Sequence, residues 1–344
     1  RFLGGFVLRR QVQAIEKAFA GHVHPDFEGV AQALSRILPK EGDGGAAICV
    51  FHRGECVVDV HAGTRDRTGA PWEADTLALS WSTTKGVLAT PLHVWVDRGY
   101  AAYDDPVARY WPEFAQAGKD DVKISHVMSH SAGLSGFDPP LESIEELYNW
   151  SSICERLAAQ KPWWEPGTQS GYHAITQGYL QGEIVRRVTG RSLGTFFKEE
   201  VASKLGADFH IGLDPKDDPR VGELQPPQQG PTADNVEPDS ILARTFAGAA
   251  LTGTEPRSES WRRAEIPAAG GIGNARSVAR IHSALACGGA VDGISLLSES
   301  GVHAILEEQT RGMDLVFGTP LVFGMGFGLN DAFFPISPNP RAFF

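Results

Sequence analysis

The chain has few cysteines, and none of them stands in the paired spacing of a metal site. Among its 344 residues there are four, Cys49, Cys56, Cys154 and Cys287, and no CxxC pair. Such sparse usage suits a reducing compartment, so we expect buried thiols and a cytoplasmic location. Cys49 and Cys56 can face each other across a hairpin, which leaves one disulfide open as an alternative.

The chain also lacks long apolar runs and basic blocks. No stretch reaches the roughly 20 apolar residues that a membrane helix needs, so no membrane span is expected. The formal net charge is −11, with 31 Lys and Arg against 42 Asp and Glu spread along the sequence. Nucleic-acid backbones are bound through clustered basic residues, so DNA and RNA are not expected partners. The 42% of hydrophobic residues suffices for a sizeable core.

Local patterns predict a hairpin near the N-terminus. Residues 46–51 and 55–61 are apolar, partly β-branched runs joined by a short turn that contains Gly54. Before them, apolar residues recur at helical spacing over residues 10–38, with a break at residues 24–25.

Further helices are expected along the rest of the chain. The middle, roughly residues 100–230, reads as helix and loop rather than strand, and residues 213–239 read as a surface excursion or lid. Asn274 is a candidate N-cap. The helices are predicted at residues 84–98 (with Pro91 inside), 177–188, 193–201 and 277–287, and a strand at residues 324–329.

These elements together predict an α/β (α+β) protein. An antiparallel sheet flanked by helices would be accompanied by a mostly helical domain. We assign residues 1–105 and 245–344 to the sheet domain. Residues 106–244 would form the helical insertion, with lid-like loops.

Residues 82–85, Ser-Thr-Thr-Lys, form an S-x-x-K motif at the start of a predicted helix. Ser82 and Lys85 are three residues apart and share one helix face, so the lysine can reach the serine hydroxyl. The unpaired N–H groups at a helix N-terminus favour a developing alkoxide or oxyanion. A lysine base must be neutral, and burial lowers its pKa toward that state. On the motif alone, an N-cap serine and a solvated lysine are the better explanation of these residues.

Five segments, in order, resemble the serine β-lactamase and penicillin-binding-protein superfamily, and in particular the family VIII carboxylesterases. Residues 79–86 (LSWSTTKG) are similar to its nucleophile helix, and residues 124–136 (ISHVMSHSAGLSG) to its LLSHTSGL signature. Residues 104–112 (DDPVARYWP) resemble the stretch between these two. Residues 164–172 resemble its Pro-Gly…Tyr loop, and residues 267–281 (PAAGGIGNARSVARI) its AGGL-T-DLARF block.

The resemblance covers roughly residues 40–330 and implies both a fold and a mechanism. The fold would be that of the β-lactamases and DD-peptidases, with the site between a sheet domain and a helical domain. Ser82 would attack the acyl carbon. Lys85 and Tyr172 would remove the serine proton and protonate the leaving group, without cofactor or metal. The Ser82 backbone N–H would be one oxyanion-hole donor.

Two departures from the superfamily pattern narrow this expectation. β-Lactamases of this type carry Tyr-x-Asn, whereas the triplet here is Tyr172-His173-Ala174, which favours the esterase branch. The third motif, a strand near the C-terminal end with Lys-Thr-Gly, His-x-Gly or Trp-Gly-Gly, does not occur after residue 281. We therefore expect the second oxyanion donor beyond Phe344.

Aromatic residues near these motifs are candidates for the substrate pocket. Trp81 precedes the nucleophile, Trp164 lies in the loop leading to Tyr172, and His173 follows that tyrosine. Amphipathic aromatic rings commonly wall apolar pockets, so these three are the predicted pocket residues, with a structural role as the favoured alternative for His173.

Two other motifs are set aside. Residues 190–194 match the G-x-S-x-G nucleophile elbow, but that motif needs a strand before it and a helical run stands there. Ser192 is instead predicted to cap the next helix. His126 and His130 have H-x-x-x-H spacing without the glutamate of a zincin, so His130 is expected to be structural.

The sequence thus predicts a serine hydrolase that cleaves short-chain carboxylic esters through an acyl-Ser82 intermediate. Its partner would be a small-molecule ester. The alternatives are β-lactamase or D,D-peptidase activity, also as a promiscuous activity, an acyltransferase, and a non-catalytic ligand-binding homologue. Oligomeric state is not predicted.

Overall fold

The computed structural model describes residues 19–37, 44–225, 236–249 and 251–344. The described strands are β1 (Ala20–Val23), β2 (Gly45–His52), β3 (Glu55–Gly63), β4 (Ala78–Leu79), β5 (Phe209–Ile211), β6 (Gly271–Gly273), β7 (Ala290–Val291), β8 (Ile294–Ser295), β9 (Thr310–Met313) and β10 (Pro320–Phe323). The described α-helices are α1 (Glu28–Ile37), α2 (Thr83–Asp97), α3 (Ile124–Met128), α4 (Trp150–Ala159), α5 (Thr176–Thr189), α6 (Leu193–Phe197), α7 (Ser203–Leu205), α8 (Ile241–Thr245), α9 (Glu259–Arg263), α10 (Ala275–Ala286) and α11 (Glu299–Ile305). None of the described helices combines the length and the apolar surface that crossing a bilayer requires.

The predicted hairpin is confirmed and belongs to a three-stranded sheet. Strands β2 and β3 pair antiparallel across a turn at Arg53 and Gly54, which both have positive φ, and the strand order is β1-β3-β2. Two positive φ values suit a tight hairpin because their twist matches that of the strands. Helix α10 packs on β2, and its N-cap is Asn274, as predicted.

The helical prediction for residues 10–38 is half right. Helix α1 confirms its second part, but residues 20–23 form strand β1, which pairs with β3. These four residues show no alternation of apolar and polar side chains, and their strand conformation depends on a partner nearly forty residues away. Residues 10–18 and 38 lie outside the described residues.

Helix α2 is the centre of the main hydrophobic core. Every residue from Val87 to Trp95 is buried, so the helix is enclosed on all sides, with Pro91 inside it. Helices α5, α10 and α11 contact it. The first turn of α2 is therefore held rigidly at the edge of this core.

The middle of the chain contains one strand that the sequence interpretation missed. Strand β5 pairs with β6, which in turn pairs with β4, although residues 100–230 were expected to hold no strand. Strand β5 has only three residues, and β6 lies some sixty residues further on, so no local hairpin signal exists. Residues 226–235 of the predicted lid are outside the described residues.

The predicted strand at residues 324–329 is wrong in position. The strand is β10, which ends at Phe323, because the chain bends at Gly326, where φ is +82° and a Cβ would lie 2.6 Å from that of Ala89. Only glycine tolerates this approach to α2. Further on, Gly328 and Phe344 exchange backbone hydrogen bonds of 2.9 Å, so the two segments pair antiparallel.

Candidate active site

A short sheet clamps the N-terminus of α2. Directly after β4, the Ser80 amide and hydroxyl both donate to the Gly271 carbonyl of β6, at 2.9 Å each. In return, Gly271 N–H donates to Thr84 Oγ1 at 3.0 Å. A Cβ on Gly271 would lie 2.6 Å from Thr84 Oγ1, so this close contact requires glycine. The clamp fixes the turn that carries Ser82.

Ser82 is exposed at the first turn of α2, and its hydroxyl makes no capping bond to the helix. The residue before it, Trp81, has a φ of +44°, a left-handed conformation that is uncommon for a bulky side chain. In the described part of the chain no protein group accepts from the Ser82 N–H. Both the hydroxyl and the amide of Ser82 are thus open to a ligand.

Lys85 is buried one turn further along α2, and its side chain runs back to the serine. Its Nζ lies 3.3 Å from Ser82 Oγ, 2.7 Å from the Ala174 carbonyl and 3.0 Å from the Ala268 carbonyl. Among the described residues no carboxylate pairs with Lys85, and burial lowers the pKa of Lys85 to about 7. A neutral amine is therefore accessible at neutral pH.

Tyr172 completes the cluster from the loop before α5. It lines the same cavity as Ser82, and Lys85 Nζ lies 4.7 Å from the centre of its ring. Burial raises the pKa of Tyr172, the Ser82 side chain partly opposes this, and the charge of Asp314 adds to the rise. The tyrosine is accordingly a neutral phenol at neutral pH.

Two histidines support the backbone around Tyr172. His173 N–H donates to His130 Nδ1 at 2.9 Å, and Gly171 N–H donates to the His130 carbonyl at 3.0 Å. The His173 ring accepts from Leu134 N–H at Nε2 (3.1 Å) and contacts the Gly171 carbonyl with Nδ1 (2.6 Å). Burial lowers the pKa of His173 to about 3 and that of His130 well below its usual value, so both are neutral.

Ser82, Lys85 and Tyr172 open into one cavity of about 950 Å³. Phe317, Phe323, Phe327 and Phe344 contribute to its mostly apolar lining, together with His130 and His282. An apolar cavity with few polar groups at one end suits a small uncharged ligand.

The comparison with known families adds an independent observation. The model of the family described as Beta-lactamase matches residues 30–344. The chain belongs to the beta-lactamase family. This confirms the family resemblance and the expected fold class.

Individual members of the beta-lactamase family are similar over most of the chain. The esterase/beta-lactamase LipL of Mycobacterium tuberculosis H37Rv is 38% identical over 329 residues, which cover 89% of this chain and 74% of LipL. A solved family VIII carboxylesterase is 39% identical with a TM-score of 0.87, covering 94% of this chain and 86% of that one. A penicillin-binding-protein homologue from Caulobacter crescentus is 39% identical with a TM-score of 0.86 over the same shares.

The three predicted pocket residues do not line the cavity of this family member. The Trp81 ring packs edge-on against Trp261 at 6.0 Å, and Trp164 donates its indole N–H to the Gln169 carbonyl at 3.0 Å. His173 is fully buried, and its ring is hydrogen-bonded to the backbone. Sequence neighbours of a site residue on a sharply turning loop point in other directions, so adjacency alone misassigned them.

Part of the cavity lining comes from residues that the sequence analysis did not assign to the pocket. Phe317 lies in the turn between β9 and β10 and packs on the Tyr172 ring at 4.7 Å. His130 was expected to be structural, and it does hold the backbone, but its ring also lies 4.8 Å from that of Tyr172 at the cavity. The second oxyanion donor, expected beyond Phe344, stays a prediction, and Phe344 itself lines the cavity.

Ser192 lies away from this cavity and caps α6. Its Oγ accepts from Thr195 N–H at 3.2 Å and donates to Glu265 Oε1 at 2.6 Å. A helix, α5, precedes it, so the strand of a nucleophile elbow is missing at this position. The predicted capping role of Ser192 is confirmed.

Proposed function

We propose that this protein is a serine carboxylesterase that cleaves short-chain esters through an acyl-Ser82 intermediate. The observation that carries the proposal is the 3.3 Å contact between Ser82 Oγ and the buried Nζ of Lys85. A serine hydroxyl becomes a useful nucleophile when an adjacent base can take its proton.

Lys85 is the base in this proposal. A neutral amine has two N–H bonds and one lone pair. The carbonyls of Ala174 and Ala268 can take both N–H bonds, which leaves the lone pair for the Ser82 hydroxyl. The pKa of about 7 keeps a large fraction of Lys85 neutral at neutral pH while the ammonium form remains a competent acid.

Tyr172 carries the proton onward to the leaving group. As the pKa of Tyr172 is raised, the residue acts as a neutral phenol that accepts one hydrogen bond while it donates another. When Ser82 Oγ bonds to the acyl carbon, Lys85 takes the hydroxyl proton. The tetrahedral intermediate then expels the alkoxide, which takes a proton from Tyr172, and Lys85 returns its proton to Tyr172.

Hydrolysis of the acyl-enzyme repeats the sequence with water. Lys85 takes a proton from the water, and the water oxygen bonds to the acyl carbon. The bond between the acyl carbon and Ser82 Oγ then breaks, and Ser82 Oγ regains a proton. The Ser82 N–H, which has no acceptor in the described part of the chain, serves as one donor to the oxyanion.

Carboxylic esters are favoured as substrates by the position after His173. At this position stands Ala174, which has only a methyl side chain and whose carbonyl accepts from Lys85. It lacks the asparagine amide that would bind the side chain of a β-lactam. The solved family VIII carboxylesterase supports the same substrate class. β-Lactam hydrolysis is the second candidate, because the similar LipL is named an esterase/beta-lactamase.

Steady-state assays on purified protein test this proposal. We expect turnover of p-nitrophenyl acetate and butyrate by the wild type, none by Ser82→Ala, and slower turnover of a chromogenic cephalosporin. A faster rate on the cephalosporin would put the second candidate first. Equal ester turnover by Ser82→Ala would refute the nucleophile assignment.

The domain assignment and the location remain proposals. We propose a sheet domain of residues 1–105 and 245–344 and a helical domain of residues 106–244. Strand β5 lies in the second range but pairs in the sheet of β4 and β6. We also propose a reducing, cytoplasmic location, on the ground that Cys49 and Cys56 are free thiols 3.7 Å apart and that Cys287 is free and exposed.

A further inference from the structure

Asp314 is a buried carboxylate in direct contact with the backbone of Tyr172. It opens the turn between β9 and β10 and is 1% exposed. Its Oδ1 accepts from Tyr172 N–H at 3.2 Å, from Val316 N–H at 2.9 Å and from Phe317 N–H at 2.9 Å. One oxygen thus joins the turn to a residue 142 positions away in the sequence.

The turn that Asp314 organises is fixed on the loop of Tyr172. Leu315 N–H donates to the Ser170 carbonyl at 2.8 Å, and the Asp314 amide donates to the Thr319 carbonyl at 3.0 Å. Within this frame, the Phe317 ring packs on the Tyr172 ring at 4.7 Å. Asp314 therefore controls both the backbone of Tyr172 and the aromatic group on one side of its phenol.

A second aspartate shows what the turn alone requires. Asp331 Oδ1 accepts from Phe333 N–H and Phe334 N–H at 2.9 Å each, the same two positions downstream as in the Asp314 turn. Asp331 has an ionic partner in Arg311 and lies outside the cavity lining. Asp314 differs in its bond to Tyr172 and in its second oxygen, Oδ2, which is buried and finds no hydrogen-bond partner in the described part of the chain.

An incompletely paired buried carboxylate is costly, and a neutral amide could close the same turn. The negative charge must therefore be explained by what surrounds it. The titratable and charged groups around Tyr172 are Lys85 from α2, His130 from the loop after α3, His173 from its own loop, and Asp314. Both histidines are neutral, so Asp314 supplies the negative charge beside Tyr172.

We propose that Asp314 is a positioning residue that aims the Tyr172 phenol at Ser82 and keeps it protonated. A phenolate beside the Asp314 carboxylate is disfavoured, whereas the neutral phenol is not. Tyr172 can then carry a proton at the same pH at which Lys85 is a neutral base. The kinetic part of this inference rests on the proposed function, because it assumes that Tyr172 handles protons in ester cleavage.

Asp314→Asn separates the charge from the geometry. The amide oxygen can still accept the three N–H groups, but the negative charge is gone. We expect the phenolate absorbance of Tyr172, isolated by subtracting the titration of the matching Tyr172→Phe protein, to appear at lower pH than in the wild type. Asp331→Asn, the same substitution in the same kind of turn, should leave that titration unchanged. An unshifted Tyr172 titration in folded Asp314→Asn would overturn the proposal.

Asp314→Glu provides the complementary variant, and also the test if Asp314→Asn does not fold. It keeps the charge but lengthens the side chain, so the phenol should titrate as in the wild type while kcat falls by about 10²-fold, the scale expected for a misplacement of about 1 Å. Asp331→Glu should retain wild-type kcat. Unchanged kcat in Asp314→Glu would contradict the positioning role.

The titration also distinguishes this inference from the proposed function. If the wild type cleaves no ester while the Tyr172 titration shifts in Asp314→Asn, the proposed function fails but the electrostatic role of Asp314 stands. If esters are cleaved and neither the titration nor kcat responds to Asp314 variants, the inference fails and the function stands.

Discussion

Lys85 Nζ lies 4.7 Å from the centre of the Tyr172 ring and 3.3 Å from Ser82 Oγ. One buried amine thus contacts both other members of the cluster, and no carboxylate in the described part of the chain pairs with it. This arrangement divides the proton transfers between a base with a lowered pKa and a phenol with a raised one. The predictions below follow from that division.

Removal of the base should abolish most of the turnover. We expect Lys85→Ala to lower kcat/KM for p-nitrophenyl butyrate by at least ~10²-fold, the usual contribution of a general base. Far-ultraviolet circular dichroism serves as the control for folding. A folded Lys85→Ala protein with more than a tenth of wild-type activity would assign the base elsewhere.

Tyr172→Phe should act mainly on kcat. The variant keeps the ring that packs on Phe317 but loses the hydroxyl that would protonate the leaving group, so substrate binding should change little while kcat falls ~10²-fold. Separate measurement of kcat and KM checks this. A rise in KM at constant kcat would mean that the phenol binds substrate and moves no proton.

Activity should rise with pH around neutrality. Burial lowers the pKa of Lys85 to about 7, so the neutral base is populated above that pH and is lost as the pH falls through it. The acid limb of kcat/KM should therefore have its midpoint near pH 7. His130 and His173 do not account for such a midpoint, because the pKa of each lies well below its usual value. An acid limb near pH 4 would point to a carboxylate base.

Ser192→Ala distinguishes the cluster from the G-x-S-x-G motif. The substitution removes the cap of α6, which should destabilise the fold by about 1 kcal/mol, while kcat stays within about twofold of the wild type. Thermal unfolding and ester turnover are measured on the same preparation. Loss of activity without loss of stability would return Ser192 to the list of candidate nucleophiles.

Phe317 should matter more to substrate binding than Trp81. The Phe317 ring lines the cavity beside Tyr172, whereas Trp81 packs on Trp261 outside it. We expect Phe317→Ala to raise KM about tenfold, since aromatic contacts are worth ~0.5–1.5 kcal/mol beyond their buried area. Trp81→Phe is the comparison, with KM unchanged. The reverse order would restore Trp81 as a pocket residue.

Features fixed by neighbours in the sequence could be predicted from it. The hairpin of β2 and β3, helix α2 and the Asn274 cap depend on spacing and turn chemistry within a few residues. The meeting of Ser82 and Lys85 is equally local, since one helix turn brings them together. Tyr172 was found only because its loop resembles that of a known superfamily.

Features that depend on distant partners could not be predicted. Strand β1 pairs with β3 and strand β5 pairs with β6, and neither β1 nor β5 has a sequence pattern of its own that predicts a strand. The same holds for Phe317 and Asp314, which reach Tyr172 through a turn more than 140 residues further along the chain. An aspartate can predict a turn, because its side chain accepts from the N–H groups two and three residues further along. No sequence pattern predicts which loop that turn will contact.

Covalent labelling tests the central claim most directly. The wild type is incubated with a fluorophosphonate and examined by intact-protein mass spectrometry and peptide mapping. We predict one adduct per chain, on Ser82, that is absent in Ser82→Ala and forms more slowly in Lys85→Ala. An adduct on another serine, or no adduct on the folded wild type, would contradict the account.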